Sequence, residues 1–333
     1  MTTIKQDEQH IIETMNRDVE LAKQIRKLSK SALLELSVYL NDFFAQNSEN
    51  GEIDGFVLGY IPKKQQIRKI VDLISEFNDE DAPHYSEMDT LVDMLKETYR
   101  KNNGAYLQAV IGLVLMKLLR DVTNLQGRTA SEEEKTEVKY LFGNGGQFEN
   151  KMTQHEAINL PPQNTRNIDS GNGTLDSINY YNTVDIINRI HKRVTDTIKQ
   201  DATQQEFTAM IGAMAIKQAV VNKEDVAHTH AKRVISQDVT GDFERLGADY
   251  MRAYRTASAE WDSALKYAIA KRFKIKTAII VNEMLPCDLC RKHINREMDV
   301  ETAVSYVPRH PSCRCEVRLI DGNGDVFDDV DVE

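Results

Sequence analysis

The sequence predicts a mainly α-helical protein, an elongated helical bundle that ends in a small C-terminal α+β module. Apolar residues recur at helical spacing along most of the 333 residues. Aromatic residues make up only 7% of the chain, with a single tryptophan, Trp261, which favours packing of aliphatic helices. The only β-branched run of strand length, Lys276–Val281, comes directly before a cluster of all four cysteines. A small sheet is therefore expected at the C-terminal end.

The first predicted domain, residues 1–142, is a helical bundle. A long apolar stripe predicts one helix, or a helical hairpin, over residues 7–46. Turn residues around Gly51 end it, and further helices are predicted over residues 63–77, 86–102 and 104–124. The segment that begins at Thr129 has an N-cap pattern followed by acids, which predicts a separate short helix to about Phe142.

The remaining chain divides by composition. Residues 143–175 are rich in Gly, Asn, Ser and Pro and are predicted to form a linker or mobile loop. Residues 176–275 form a second helical domain, with helices over 176–200, 203–221 and 223–275 and a break expected in the last near Gly241 or Gly247. A cysteine and histidine module is predicted at 276–320, followed by an acidic tail at 321–333.

Charge and hydropathy exclude several classes of protein. A net charge of −10 argues against a chain whose whole surface coats nucleic acid. The longest apolar run, around Ala109–Met116, is far shorter than the roughly 20 residues that cross a bilayer, and no signal peptide is evident. We therefore expect no membrane partner and synthesis in the cytoplasm, where clustered cysteines favour metal binding over disulfides.

The cysteines have the spacing of a zinc site. Cys287 and Cys290 form a C-x2-C knuckle, and His310, Cys313 and Cys315 follow as H-x2-C-x-C. Such a knuckle can direct two thiolates to one tetrahedral ion, and four protein ligands would make the zinc structural, with no open position for water. Two other interpretations remain open, namely buried reduced cysteines and a disulfide between the two groups.

The choice of four ligands also remains open. We favour Cys287, Cys290, His310 and Cys313, because we expect Cys313 and Cys315 to reach one ion only if the chain bends between them. Cys315 is the alternative to His310. His293, three residues after the knuckle, is a third possibility.

The terminal motif, Pro308-x-His310-Pro-x-Cys313-Arg-Cys315 after the knuckle, resembles the phage head morphogenesis family of Mu F-like minor capsid proteins. The resemblance covers roughly residues 227–319, in which 235–270 would be the family's long helix and 276–281 its strand. Two features depart from the family: the segment after the knuckle lacks the usual Leu-x-Gly turn, and residues 1 to about 220 match no family pattern.

The resemblance implies a low-copy virion protein of the phage head that is made in the host cytoplasm. Its implied partners are the portal and the major capsid protein, and phage DNA is a further candidate during packaging or ejection. The chain shows no phosphate-binding loop, no G-x-S-x-G and no H-E-x-x-H, so we expect no enzymatic activity. Two alternatives are a zinc module that binds nucleic acid and a metal-dependent nuclease with a second, open metal site.

Weaker signals favour ordinary surface roles. His228 and His230 are two residues apart and point in different directions on a helix. The segment Asp321–Asp325 resembles the start of a calcium loop but lacks its later ligands. The acidic tail is expected to be solvated or to dock on a basic partner. A basic patch near the module could contact DNA or the portal; its candidate members are Lys266, Lys271, Arg272, Lys274, Lys276, Arg291, Lys292, Arg309 and Arg314.

Overall fold

A computed structural model of the chain describes residues 4–77, 86–144, 146–149, 151–168, 173–212, 238–282, 289–308, 313 and 315–320. These residues form nine α-helices, one 3-10 helix and a three-stranded sheet. The predicted class, mainly α with a small C-terminal α+β module, is confirmed. Within the described residues, no helix combines the length and the apolar character needed to cross a bilayer.

The helices before the sheet have the following bounds: α1 Ile4–Asn47, α2 Lys64–Ser75, α3 Ser86–Thr98, α4 Asn103–Phe142, α5 Gln154–Ile158, α6 Leu175–Ile198, α7 Gln204–Ile211 and α8 Val239–Phe273. The 3-10 helix spans Gly55–Gly59, between α1 and α2. The region after α8 contains β1 Thr277–Asn282, β2 Glu297–Asp299, α9 Val300–Tyr306 and β3 Cys315–Ile320.

Two predicted breaks are absent from the long helices. Helix α4 continues through Thr129, and the Thr129 hydroxyl donates to the Leu125 carbonyl one turn earlier instead of capping a new helix. Helix α8 continues through Gly241 and Gly247. A Cβ at Gly247 would make ordinary contact with Ser29 and Ile25, so this glycine does not mark a turn.

The segment expected to be a linker contains ordered structure. Helix α5 lies within it, with Thr153 and Glu156 forming a reciprocal capping box. Phe148 and Ala157 are buried, and the Thr165 N–H donates to the Glu134 carboxylate at 2.9 Å. Glycine and asparagine content alone does not reveal these contacts, since they join residues distant in sequence.

Two compact units are assembled from discontinuous ranges. Unit 1 comprises residues 1–21, 125–178 and 251–333, and unit 2 comprises residues 22–124 and 179–250. Helices α1, α4, α6 and α8 therefore each contribute one part to each unit, although α6 contributes only Leu175–Ile178 to unit 1. Boundaries placed along the chain, such as ours at residues 142 and 175, do not anticipate units built in this way.

Unit 2 is organised around the first half of α4. Residues Ala109–Ile111 and Leu113–Met116 are completely buried there, as a helix that is apolar on every side must be. Aromatic side chains close this core, with the Phe44 and Phe207 rings 5.0 Å apart. A buried pair of hydroxyl groups, Thr183 and Tyr250, lies 2.7 Å apart in the same unit.

Unit 1 carries the sheet. Strand β1 is central, with antiparallel β2 on one side and antiparallel β3 on the other. The predicted strand over residues 276–281 is confirmed as β1. The Ser263 hydroxyl donates to the Val307 carbonyl and so joins α8 to the residue after α9. The Gln147 side chain donates to the Leu319 carbonyl on β3 at 2.8 Å.

One apolar core joins α4, α8, the sheet and the described cysteines within unit 1. Its buried members are Val138, Leu141, Phe142, Phe148, Ala157, Trp261, Leu265, Ile269, Ala270, Ala278, Ile280, Cys290, Val300, Ala303, Val307, Cys313, Cys315, Val317 and Leu319. The cysteines are therefore an interior part of this core and not a surface appendage.

Candidate metal centre

Cys290 lies in a tight turn that is attached to the central strand. The His293 N–H donates to the Cys290 carbonyl at 2.9 Å, and the Asn295 N–H donates to the Ile280 carbonyl of β1 at 2.9 Å. Asn295 has a φ of 57°, the left-handed region that asparagine adopts more readily than most residues. The turn is thereby fixed beside β1, with Cys290 only 5% exposed.

Cys315 reaches the same place from the start of β3, and Cys313 lies two residues before that strand. Cys315 is the first residue of the strand and pairs with Asn282 of β1. Both cysteines are 3% exposed. Side chains two residues apart on an extended strand project to the same face, so strand geometry alone does not require a bend for both sulfurs to reach one ion. The alternation of β3 agrees, since Cys315, Val317 and Leu319 are buried and the residues between them are half-buried.

The three sulfurs have the spacing of metal ligands. The Sγ atoms of Cys290 and Cys313 are 3.9 Å apart, and those of all three cysteines lie within 4.8 Å of one another. Ligands at about 2.3 Å in a tetrahedral site are about 3.8 Å apart, whereas a disulfide bond is about 2.05 Å long. Cys290 and Cys313 are thus not bonded to each other, and the three cysteines could hold a metal ion.

Two of the other predicted ligands, Cys287 and His310, lie outside the described residues. Their role as metal ligands therefore stays a prediction. The His293 ring packs at a tilt against Tyr306, with 4.2 Å between centroids, and does not belong to the described sulfur group. Three buried sulfur donors suit a soft or borderline divalent ion and do not suit Mg²⁺ or Ca²⁺, which prefer oxygen.

A small cavity of about 90 Å³ lies beside the cysteines in unit 1. Cys313, Cys315 and Glu316 form one part of its wall, and residues of α1, α4 and α8 form the rest. The other lining residues are His10, Thr14, Met15, Arg17, Asp18, Glu133, Glu137, Arg255, Ser258, Ala259, Trp261 and Asp262. This wall is dominated by charged side chains, which is unusual for the interior of a helical protein.

Lys266 is the centre of a buried ionic network at this cavity. Its ammonium group is paired with Glu137 and, at 2.7 Å, with Asp262, and its side chain is 6% exposed. His10 Nε2 lies 2.8 Å from the Glu137 carboxylate, and the His10 ring stacks on Tyr140 at 4.1 Å. The network therefore connects α1, α4 and α8 within unit 1.

Pairing and burial act against each other on the pKa values in this network. Burial alone raises the pKa of Glu137, but the charge of Lys266 and the hydrogen bond to His10 bring it well below the ordinary value. Burial lowers the pKa of Lys266, but the charges of Asp262 and Glu137 hold it above the ordinary value. For Asp262, burial is the larger effect and raises the pKa. Lys266 therefore holds Glu137 in its ionised form more effectively than it holds Asp262 in that form.

A second group of charges completes the wall. Burial, followed by the nearby charge of Asp18, raises the pKa of Glu133 to about 7, against the hydrogen bonds from Tyr254 and Ser258. The Tyr254 hydroxyl donates to Glu133 at 2.6 Å. Arg255 pairs with Asp18 at 3.0 Å, and both are largely buried.

Sequence reasoning missed this network. Lys266 is buried and ion-paired, so it does not belong to the surface patch that we predicted. The available signal is the position of Asp262 and Lys266, one turn apart on a helix face that also carries Trp261 and Leu265. Of the patch, Lys271 lies over the Tyr267 ring at 4.4 Å. Arg309, Arg314, His228, His230 and residues 321–333 lie outside the described residues.

Comparison of the chain with models of known protein families, with curated proteins and with solved structures finds no match.

Proposed function

We propose that this protein is a phage minor head protein whose C-terminal module is held together by one structural zinc ion. The observation that carries the proposal is the convergence of Cys290, Cys313 and Cys315 at tetrahedral spacing inside an apolar core. The elements before the cysteines support it: a long helix, α8, followed by a short strand, β1, and then the turn that carries Cys290. The resemblance of the terminal motif implies a long helix and a strand in this order before the knuckle.

The zinc would supply folding free energy to a small region. The sheet has three strands, and β2 is only three residues long, so strand pairing alone stabilises it weakly. A metal that binds ligands from the turn after β1 and from the start of β3 joins the two ends of this module. With Cys290, Cys313 and Cys315 as three ligands, we propose Cys287 as the fourth, and Cys315 then takes the position that His310 has in the ligand set favoured by the sequence.

The proposed role is assembly and not catalysis, since four protein ligands leave no coordination position for a reacting water. The proposed partners are the portal and the major capsid protein, with phage DNA as a further candidate. The proposed location is the virion head. Helical surfaces of the chain would make these contacts, while the zinc module fixes the C-terminal end of α8.

Metal content measured by plasma mass spectrometry tests the zinc site. We expect one zinc per chain in the unaltered protein and loss of zinc in Cys290→Ser and Cys313→Ser. Val317→Ala is the matched control, because Val317 is buried on β3 but offers no ligand. Cys287→Ser and His310→Ala then distinguish the two candidates for the fourth ligand. Full zinc content in both Cys290→Ser and Cys313→Ser would contradict the site.

The head role is tested separately, in phage particles that encode this chain. We expect the protein in purified heads at low copy number and a failure of head assembly when its gene carries a nonsense mutation. Purified protein should also bind the purified portal or major capsid protein. Heads that form normally without the protein would contradict this role, whether or not zinc is bound.

A further inference from the structure

Three large apolar side chains of unit 2 project into solvent from one short segment. Phe56 is 79% exposed, Ile61 75% and Tyr60 62%. We call these three residues the apolar strip. Single exposed apolar side chains are common on protein surfaces, but clustered ones mark interaction sites. The cluster here lies in the 3-10 helix Gly55–Gly59 and the two residues that follow it.

The segment that carries the apolar strip is firmly held. Val57 is buried beneath it, and the Asn103 side chain donates to the Val57 carbonyl at 2.9 Å. The Asn103 N–H donates to the Tyr60 carbonyl at 2.8 Å. At the other end, the Gly55 N–H donates to Asp201 at 2.9 Å. A contact made by the strip would therefore cost little conformational entropy.

Close packing also fixes the start of the segment. A Cβ on Gly55 would lie 3.0 Å from the Lys199 Cα, so a side chain here would require the backbone at the end of α6 to shift by a few tenths of an ångström. The arrangement positions the strip without burying it.

Exposed charges of opposite sign flank the strip along the chain. Glu52 and Asp54 precede it, and Lys63 and Lys64 follow it, all of them exposed. The Lys63 ammonium group donates to the Gln46 carbonyl of its own chain. Lys64 is therefore the base that we assign to an intermolecular pair. The chain as a whole has a net charge of −10, so two copies repel each other over most of their surface.

We propose that the apolar strip is the centre of a two-fold contact between two copies of this chain. A two-fold axis places the same patch of each copy against the other, in opposite directions. The acidic flank of one copy then faces the basic flank of its partner, and the apolar side chains pack between them. This charge complementarity selects a second copy over a partner of one uniform charge.

The contact is expected to be weak. Three side chains cover much less than the roughly 800 Å² that each partner buries in a standard interface. The strip therefore acts as a small group of dominant side chains inside a larger polar contact. A monomer–dimer equilibrium that depends on concentration is the expected behaviour of the full chain.

Sedimentation velocity over a wide concentration range tests the apolar part. We expect reversible dimers in the unaltered protein, and a dissociation constant raised by about tenfold or more in Phe56→Ser combined with Ile61→Ser. Tyr181→Ser is the matched control, because Tyr181 is 65% exposed elsewhere in unit 2 and should leave the equilibrium unchanged. Circular dichroism confirms that each variant is folded.

A charge exchange tests the two-fold geometry. Glu52→Lys and Lys64→Glu should each weaken dimerisation, because both symmetric contacts then join like charges. An equimolar mixture of the two variants should restore it, because both contacts of the mixed dimer join opposite charges. High salt should reduce this restoration.

Several outcomes would overturn the proposal. One is a monomer at every concentration, and another is a dimer that the serine variants do not affect. A failure of the charge mixture to restore association also counts against it. Binding of the monomer to vesicles of phosphatidylcholine and phosphatidylglycerol, lost in the serine variants, would assign the strip to lipid instead. None of these outcomes bears on zinc content or on the head role.

Discussion

The two halves of helix α4 bury different chemistry. In unit 2, residues Val110–Met116 have no charged side chain, and the hydrophobic effect accounts for their burial. In unit 1, Glu133, Glu134 and Glu137 lie within two turns of the same helix, and Glu137 is held by Lys266 and His10. A single helix thus contributes to an apolar core at one end and to an ionic interior at the other.

The difference teaches how each unit should respond to change. Apolar burial loses free energy roughly in proportion to the area exposed, whatever the pH. A buried charge depends on its partner. Removal of one member of a buried ion pair leaves the other charge without compensation in a medium of low polarity. The surroundings of α4 in unit 1 should therefore be sensitive to single charge changes and to pH, and those of α4 in unit 2 to changes of side-chain volume.

The largest effect is expected from Lys266→Met. The change leaves Glu137 and Asp262 buried without their shared cation and should destabilise unit 1 by about 3–5 kcal/mol. Hydrogen exchange under native conditions measures the effect, since it reports separately on amides of the two units. As a control, Lys266→Met combined with Glu137→Gln and Asp262→Asn should recover most of the loss. A loss below about 1 kcal/mol in the single variant would contradict the ionic description.

Leu113→Ala should have the next largest effect, in unit 2. Leu113 is completely buried, and the cavity left by the change should cost about 3 kcal/mol at any pH between neutral and mildly acidic. Chemical denaturation followed at several pH values measures it. Leu34→Ala, at an exposed leucine of α1 in the same unit, should cost well under half as much. A cost for Leu113→Ala that changes strongly with pH would remove the contrast between the units.

Glu133→Gln should flatten the pH dependence of unit 1. The folded pKa of Glu133 is about 7, above its unfolded value, so the folded state binds this proton more tightly. The contribution of Glu133 to stability therefore falls as pH rises through about 4.5 to 7. The Glu133 side chain is partly exposed, so solvent reduces this effect. We expect the stability of Glu133→Gln, compared with that of the unaltered protein, to be about 1–2 kcal/mol more favourable near pH 8 than at pH 4.5.

Unfolding of this variant and of the unaltered protein over that pH range measures the gain. Glu137 provides the opposite sign, since its lowered pKa stabilises the fold above its unfolded pKa and this contribution is lost as acid protonates it. Identical pH profiles for the two proteins would show that Glu133 does not titrate as inferred.

The smallest effects are expected at two matching helix caps. Thr153 begins α5 in unit 1 and Thr203 begins α7 in unit 2, and each forms a capping box with a glutamate three residues later. Replacement of either threonine by alanine should cost about 1 kcal/mol, because the cap acts locally. Thermal unfolding measures the loss of stability in each variant. Equal losses would assign the contrast between the units to their interiors, and a large difference between the two losses would contradict that assignment.

The sequence predicts the parts of this molecule that depend on neighbours in the chain. Helical periodicity predicts α1, α2 and α3, and the β-branched residues predict β1. The cysteine spacing predicts that the two groups meet, and the structure brings Cys290, Cys313 and Cys315 together. The choice among the five candidate ligands does not follow from spacing, since strand geometry allows both Cys313 and Cys315 to reach one ion.

The remaining features depend on residues distant in sequence. Nothing local shows that Lys266 meets Glu137, which is 129 residues away. Thr129 followed by acids matches a helix start as well as it matches the interior of a continuous helix, and only packing of α4 on both sides of this point decides between them. The two units could not be predicted from chain order for the same reason.

The bond from Gln147 to the Leu319 carbonyl bears on the behaviour of this protein at high local concentration. Strand β3 is an edge strand, and its outward carbonyls are acceptors that a strand from another chain could use. Gln147 occupies one of them. Gln147→Ala should thus leave the fold intact while raising the tendency of the sheet to recruit foreign strands into aggregates.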